Sequence, residues 1–186
     1  MHNIRSNFLI LPVIIISILA LAAITLSYLK QYYNSQNKNI IFGYHVKVVD
    51  GDTIKIDNIR IRLYGIDAPE RHQVCYNKKT QKPYNCGLTA KQELKHIIQG
   101  KKVSCHKKSI DKYNRIIAIC YVDDSIDIAR ELVKKGLALA YTKFSNLYIE
   151  DELHAKQNHS YRNNEFTPPW EYRYYKKKYR LKQKIS

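Results

Sequence analysis

The chain has 186 residues, which predicts one domain and excludes the smallest scaffolds that fold only with a metal or disulfide staple. It carries 32 Lys and Arg against 16 Asp and Glu, a formal net charge of +16. A balance this basic favours polyanionic partners, either nucleic acid or anionic lipid headgroups.

The N-terminal segment has the composition of a membrane helix. No charged residue occurs from Ser6 to Leu29. About 20 apolar residues suffice for a helix to span a bilayer, so residues 1–29 are predicted to be a transmembrane anchor. A cleaved signal peptide stays open, because Arg5 supplies a charged start and Ala20-Leu21-Ala22 is a plausible cleavage site. Flanking charges leave the orientation undecided.

All four cysteines follow this segment. An even number of cysteines behind an export signal predicts two disulfides in an oxidising compartment, with four reduced core cysteines as the alternative. Their spacing lacks the CxxC or HxxxH pairs of a zinc site. Local pairing is the simplest of the three connectivities. It joins Cys75 to Cys86 and Cys105 to Cys120.

The following chain alternates strand and helix patterns. Residues 30–40 are a polar spacer. Period-2 alternation then predicts a three-strand meander with turns at Asp50 and Asp57. A polar stretch (Glu70–Gly87) follows, and then a helix (Ala90–Ile98) that Gly100 ends. Two more strands are predicted at Lys101–His106 and Arg115–Val122. A second helix is predicted from an N-cap at Ser125 to Gly136, and a third at Ile149–Tyr161.

This order predicts a mainly β protein with helices (α+β). Five strands, with a helix between the third and fourth, indicate a partly open OB-fold barrel with about three helices behind the N-terminal hydrophobic helix. The domain is expected to cover residues 41–170, with Pro168–Trp170 packed on it because Trp is rarely fully exposed. Residues 171–186 are expected to be a basic Tyr- and Lys-rich tail, and its last dozen residues to be solvated.

Three polar clusters carry the chemistry. They are Asp50-Gly51-Asp52-Thr53, Arg62 to Glu70, and Asp111-Lys112-Tyr113-Asn114-Arg115. Phosphodiester hydrolysis needs groups that stabilise the negative charge on the phosphoryl oxygens, and it needs a positioned water. Carboxylates with a backbone carbonyl suit Ca²⁺, arginine forks match phosphate, and a glutamate beyond a proline can orient or deprotonate water.

The joint pattern resembles the staphylococcal nuclease (thermonuclease) family. The segments VVDGDT, RLYGIDAPE, DKYNR and KKGLALAY occur in that family's order between Tyr44 and Tyr141. The resemblance implies calcium at Asp52, Asp67 and the carbonyl of Ala68, and an attacking water served by Glu70. It further implies that Arg62 and Arg115 clamp the scissile phosphate, and that Lys112, Tyr113 and Tyr141 bind substrate.

Some positions depart from the family pattern. Ala68 stands where Thr is common, which keeps the carbonyl ligand and loses a hydroxyl. Asn114 replaces a frequent Gly, and Asn tolerates the same left-handed turn. The segment after Tyr141 carries Pro168-Pro169-Trp170 in place of the usual helix-ending Gly-Leu-Trp.

The resulting hypothesis is a calcium-dependent, monomeric nuclease that cleaves DNA and RNA with low sequence specificity. Single strands are expected to be favoured, since OB grooves bind splayed bases on aromatic platforms. The domain is expected outside the cytoplasm, anchored to the membrane or secreted. One alternative is a non-catalytic OB-fold nucleic-acid-binding protein at the membrane, and another is a membrane-surface protein whose basic tail binds lipid.

Overall fold

The computed structural model describes residues 7–37, 39–157, 164–165 and 167–182. The chain divides into two units, Met1–Ile40 and Ile41–Ser186. Helix α1 (Asn7–Asn37) dominates the first unit, and its stretch Pro12–Tyr32 is long and apolar enough to cross a membrane. That finding agrees with both a signal sequence and an anchor. Arg5 lies outside the described residues.

The second unit is built around one curled sheet. Its strands are β1 (Ile40–Gly43), β2 (Val46–Asp50), β3 (Thr53–Ile56), β4 (Ile59–Leu63), β8 (Val103–Ile110), β9 (Ile116–Val122) and β10 (Ile126–Asp127). Short strands outside this sheet are β5 (Ile66–Asp67), β6 (Val74–Asn77), β7 (Pro83–Asn85), β11 (Leu139–Ala140) and β12 (Asn164–Glu165).

The main sheet has the order β1-β8-β9-β4-β3-β2, with β10 added on β9. β2, β3 and β4 form the antiparallel meander, β8 and β9 form a long hairpin, and β4 joins β9 in parallel. This half-closed, OB-like barrel confirms the predicted α+β fold.

Four described helices accompany the barrel: α2 (Cys86–Ile98), α3 (Ile128–Lys134), α4 (Ile149–Gln157) and α5 (Pro169–Lys182). Helices α2 and α3 bury Leu94 and Leu132 against the strand residues Ile54, Ile61 and Leu63. Burial of these apolar faces closes one side of the barrel and stabilises the fold.

Several boundaries differ from the sequence prediction. Helix α3 is capped by Asp127, whose side chain accepts a hydrogen bond from the Arg130 amide, so the N-cap predicted at Ser125 is wrong. A carboxylate one residue before the first helical turn reaches that amide, whereas Ser125 comes too early. Within Glu70–Gly87, β6 and β7 form a hairpin. Helix α4 is described to Gln157, and residues 158–161 of its predicted range lie outside the described residues.

Both predicted disulfides are present. Cys75–Cys86 joins the β6–β7 hairpin to the start of α2, with Cα atoms 5.7 Å apart. Cys105–Cys120 joins directly opposite residues of β8 and β9, with Cα atoms 4.0 Å apart. The first bond fixes the segment after Glu70, and the second ties the two longest strands of the barrel.

Candidate active site

A buried cluster of two aspartates and one arginine forms the floor of the site. Asp52 lies in the β2–β3 turn, and Asp67 ends β5. Arg62 on β4 lies between them: its Nη1 is 2.9 Å from Asp52 Oδ1 and Oδ2, and its Nη2 is 2.7 Å from Asp67 Oδ1. Burial opposes the charged guanidinium, yet the two carboxylates raise the pKa of Arg62 above its usual value.

The turn between β4 and β5 aims Asp67 at Arg62. Gly65 has a φ of +74°, which residues with a side chain rarely adopt, and the ring of Tyr148 lies against its Cα face. After this turn, β5 pairs with β11, so that Asp67 lies opposite Leu139. The Tyr141 amide then donates to the Gly65 carbonyl at 2.8 Å. This pairing brings Tyr141 to the groove beside Gly65, 76 positions earlier in sequence, with Asp67 buried just behind the groove.

Glu70 is held by a tight loop after Pro69. The Gln73 amide donates to the Glu70 carbonyl at 2.8 Å, and Gln73 Oε1 accepts from the Glu70 amide at 3.1 Å. Gln73 is almost fully buried, and its Nε2 donates to the Thr167 carbonyl at 2.7 Å. The backbone of Glu70 is therefore fixed while its carboxylate remains 35% exposed.

Arg115 extends from the loop that joins β8 to β9. Asp111 Oδ1 accepts from the amides of Tyr113 and Arg115, and Asp111 Oδ2 accepts from Arg115 Nε at 2.7 Å. Burial opposes ionisation of Asp111, but these hydrogen bonds lower its pKa below the ordinary value. Asn114 has a φ of +58°, which confirms the left-handed turn expected at that position. The loop thus presents the guanidinium of Arg115 in one orientation.

Two connected spaces lie over this cluster. A small polar cavity of about 110 Å³ is lined by side chains that include Asp50, Asp52, Arg62, Ala68, Glu70 and Arg115. A groove of about 960 Å³ shares Arg62, Glu70 and Arg115 and adds Lys112, Tyr113, Tyr141, Lys143, Phe144 and Arg173. The structure therefore brings all predicted catalytic residues to one place, with the predicted substrate-binding residues beside them.

Two residues at the site were not predicted there. Asp50 was assigned to a turn only, and it also lines the small cavity, where burial raises the pKa of its carboxyl. Arg173, assigned by sequence to the basic tail 171–186, reaches the site from α5. Its Nη2 is 2.6 Å from Asp67 Oδ2, and its Nη1 is 3.1 Å from Asp67 Oδ1 and 2.7 Å from Glu70 Oε1.

Helix α5 is docked by the segment that begins it. Pro169 is buried, and the ring of Trp170 stacks on Tyr141 with centroids 5.4 Å apart and planes 10° from parallel. The Tyr172 hydroxyl lies 3.5 Å from the His72 carbonyl oxygen. The sequence signal for Arg173 was its position three residues after Trp170, which places both on one side of a helix.

The donor set suits a hard cation in its chemistry. Asp52, Asp67 and Glu70 supply carboxylate oxygens, Ala68 adds a carbonyl, and Ca²⁺ prefers oxygen ligands of this kind. Among the described residues, no three His, Cys, Asp or Glu side chains lie close enough together to form a metal site by themselves. A cation would therefore also need the carbonyl and water, and would meet Arg173 on Asp67.

Comparison with known proteins agrees with this geometry. The family model described as staphylococcal nuclease homologue matches residues 60–165, more than half of the chain. The chain is 33% identical over 113 residues to the succinoglycan biosynthesis protein ExoI of Rhizobium meliloti, covering 60% of this chain and 59% of that protein. It is 28% identical over 144 residues to an uncharacterized endonuclease of Escherichia coli, covering 73% and 87%.

A third relative is the probable endonuclease LCL3 of Komagataella phaffii, 35% identical over 96 residues, which are 50% of this chain and 40% of that protein. An OB-like barrel with buried acids and arginines at one groove defines a hydrolase of the nuclease class. The chain belongs to the staphylococcal nuclease family. The predicted family and enzyme class are confirmed.

Proposed function

We propose that this nuclease hydrolyses phosphodiester bonds of DNA and RNA with calcium as its cofactor and with low sequence specificity. The observation that supports the proposal best is the convergence of Arg62, Glu70 and Arg115 on two connected spaces above Asp52 and Asp67. Phosphoryl transfer depends mainly on the positioning of the reacting groups and on positive charge close to the phosphoryl oxygens. This arrangement of side chains offers both.

The two arginines are held ready for phosphate. Both terminal nitrogens of Arg62 are used on Asp52 and Asp67, so its plane is fixed before substrate arrives. Arg115 uses Nε and Nη2 on Asp111, and its Nη1 has no hydrogen-bond partner among the described residues. Donors that need no reorganisation stabilise developing negative charge best, and Arg115 Nη1 is such a donor.

Glu70 supplies the basic group. Its carboxylate lines both spaces and is partly exposed, so it can orient a water or take its proton beside the phosphate. Asp52, Asp67 and the carbonyl of Ala68 would hold calcium. All three protein ligands lie within 17 positions of the sequence. A bound divalent cation supplies a positive centre for the phosphoryl oxygens.

The groove favours unpaired bases. Tyr113 and Phe144 are 67% and 63% exposed, and Lys112 lies over the ring of Tyr113 at 5.1 Å. Exposed aromatic rings stack on splayed bases of any sequence, while lysines contact the backbone. Single-stranded substrates with weak sequence preference follow from such a surface.

The compartment follows from the N-terminus and the disulfides. The apolar stretch Pro12–Tyr32 has the length of a signal or an anchor, and two disulfides persist in oxidising surroundings. A domain outside the cytoplasm, anchored or released by cleavage, satisfies both. A monomer is sufficient, because one chain supplies all the residues invoked here.

The test uses the full chain in detergent micelles with single-stranded DNA and RNA of mixed sequence. Cleavage of both in Ca²⁺, and none in EDTA, is expected. A double-stranded oligonucleotide of the same sequence should be cut more slowly. Oligonucleotide binding without cleavage at any divalent cation would instead support a non-catalytic binding protein.

A further inference from the structure

Arg173 occupies the carboxylates that the proposed function assigns to calcium and water. Its guanidinium lies on both oxygens of Asp67 and on Oε1 of Glu70, at 2.6 to 3.1 Å. Asp67 Oδ1 also accepts from Arg62, so both Asp67 oxygens already carry a guanidinium donor. The residue lies beyond the stretch 60–165 that the family model matches.

The negative charge of the acidic residues explains why Arg173 binds to them. Asp52 and Asp67 are buried, Glu70 is partly buried, and Arg62 alone leaves one negative charge from the aspartate pair and another from Glu70 uncompensated. Buried carboxylates are costly unless paired, and Arg173 supplies one of the two missing positive charges. A divalent cation at Asp67 would place positive charge against the same oxygens, so the two cations are alternatives for one set of ligands.

The position of Arg173 also allows it to leave. Its side chain is 39% exposed and lines the open groove, whereas Asp67 is fully buried. Helix α5 is docked independently, through Pro169, the Trp170 stack on Tyr141 and the contact of Tyr172 with His72. The guanidinium can therefore swing into the groove by rotation of its own side chain while the helix stays in place.

We propose that Arg173 is a third arginine of the site that competes with a divalent cation for Asp67 and Glu70. This inference rests on the proposed calcium site. Without the cation, Arg173 offsets part of the negative charge of the acids and covers Glu70. With the cation bound, the guanidinium is released into the groove that holds the substrate backbone. Arg173 is thus a positioning residue that sets the affinity of the site for its cation.

The test measures Ca²⁺ binding by titration calorimetry on the full chain in detergent micelles, without nucleic acid. Arg173→Gln removes the competing charge, so its dissociation constant for Ca²⁺ should fall by about 5-fold or more, the lower end of typical coupling between linked binding events. Arg180→Gln removes the same charge from an exposed position on the same helix and should leave the constant within about twofold of wild type.

Arg173→Lys is a control that separates loss of the competing charge from misfolding as the cause of a changed Ca²⁺ affinity. A lysine keeps one charge but lacks the planar fork that reaches both carboxylates, so its Ca²⁺ affinity should lie between wild type and Arg173→Gln. Circular dichroism confirms the fold of each variant. An Arg173→Gln protein that is folded and binds Ca²⁺ as wild type does, or more weakly, overturns the competition and leaves the calcium site standing. Absence of Ca²⁺ binding in all four proteins overturns the calcium site and the competition together.

Discussion

Gly87 lies directly against the carbonyl oxygen of Glu70: a Cβ atom on Gly87 would come within 1.9 Å of it. The carbonyl belongs to backbone, so it cannot rotate away as a side chain would. Helix α2 cannot easily retreat either, since Cys86 is bonded to Cys75 and Asn85 caps the helix by accepting from the Leu88 amide at 2.8 Å. The first turn of α2 therefore sets the position of Glu70.

Gly87→Ala is expected to lower the turnover number and the free energy of unfolding together. The added methyl group must displace the Glu70 backbone, and overpacking of this kind typically costs about 1–3 kcal/mol. Single-turnover cleavage and urea unfolding measure the two effects. Gly100→Ala is the matched control: it strains the other end of α2, where φ is +73° and no atom lies within 4 Å, so stability should fall while turnover holds. Equal turnover loss in both variants would contradict the prediction.

Glu70→Gln should reduce the turnover number and leave oligonucleotide affinity nearly unchanged. The amide keeps the shape of the side chain but removes the base that serves the attacking water, which matters to chemistry rather than docking. Pre-steady-state cleavage and fluorescence anisotropy separate the two quantities. A variant that loses affinity but keeps turnover at saturation would assign Glu70 to binding.

Arg115→Ala should slow cleavage by about 10²–10³, the typical cost of one preorganised donor at a developing negative charge. Arg62→Ala should cost at least as much in rate. It also leaves Asp52 and Asp67 without their shared partner, and breaking a buried ion pair typically costs about 3–5 kcal/mol. Thermal unfolding should therefore separate the two variants, with the smaller loss in Arg115→Ala, because Asp111 keeps the amides of Tyr113 and Arg115 as donors. Full turnover in folded Arg115→Ala would exclude it from the site.

Lys112→Gln should weaken oligonucleotide binding and flatten its salt dependence. Each phosphate contact to a single strand contributes about 0.7 to the slope of log affinity against log salt, so the slope should decrease by about that amount. Anisotropy titrations at several NaCl concentrations give the slope. Lys95→Gln, an exposed residue near the end of α2, serves as the charge-matched control and should keep the wild-type slope.

Replacing both Cys105 and Cys120 by Ala should lower the free energy of unfolding by about 3 kcal/mol, because the bond closes a loop across 15 positions. Urea denaturation of the double variant gives the value. Reducing agent should destabilise wild type further than it destabilises this variant, since wild type has a second bond to lose. Free thiols detected in unreduced wild-type protein would contradict both pairings.

The sequence anticipated the parts of the site that are local. Asp52, Arg62, Asp67 and Glu70 fall within 19 positions on consecutive strands and turns, and the family resemblance of these segments grouped them into one site. Asn114 was assigned a left-handed turn because Asn tolerates it, and its φ is +58°. Hairpin neighbours Cys105 and Cys120 were likewise predictable from strand pairing.

Long-range contacts were not predictable in the same way. Arg173 meets Asp67 across 106 positions, and its one local signal, the spacing from Trp170, does not indicate which distant residues it contacts. Its role depends on the docking of Trp170, which fixes the rotation of α5 about its axis. Ser125 was predicted as the cap of α3, whereas Asp127 caps it. Both residue types cap helices, and only the hydrogen bond to the Arg130 amide identifies the cap.

Trp170, which stacks on Tyr141, is an intrinsic fluorescence probe of this part of the protein. Trp170 is the single tryptophan of the chain, so all indole emission comes from the junction between the groove and α5. Tyr141 lines that groove, and an incoming base that stacks there changes the surroundings of the indole. We therefore expect intrinsic fluorescence of the unmodified protein to report undocking of the C-terminal helix and any ligand that binds beside Tyr141, against a background free of other indoles.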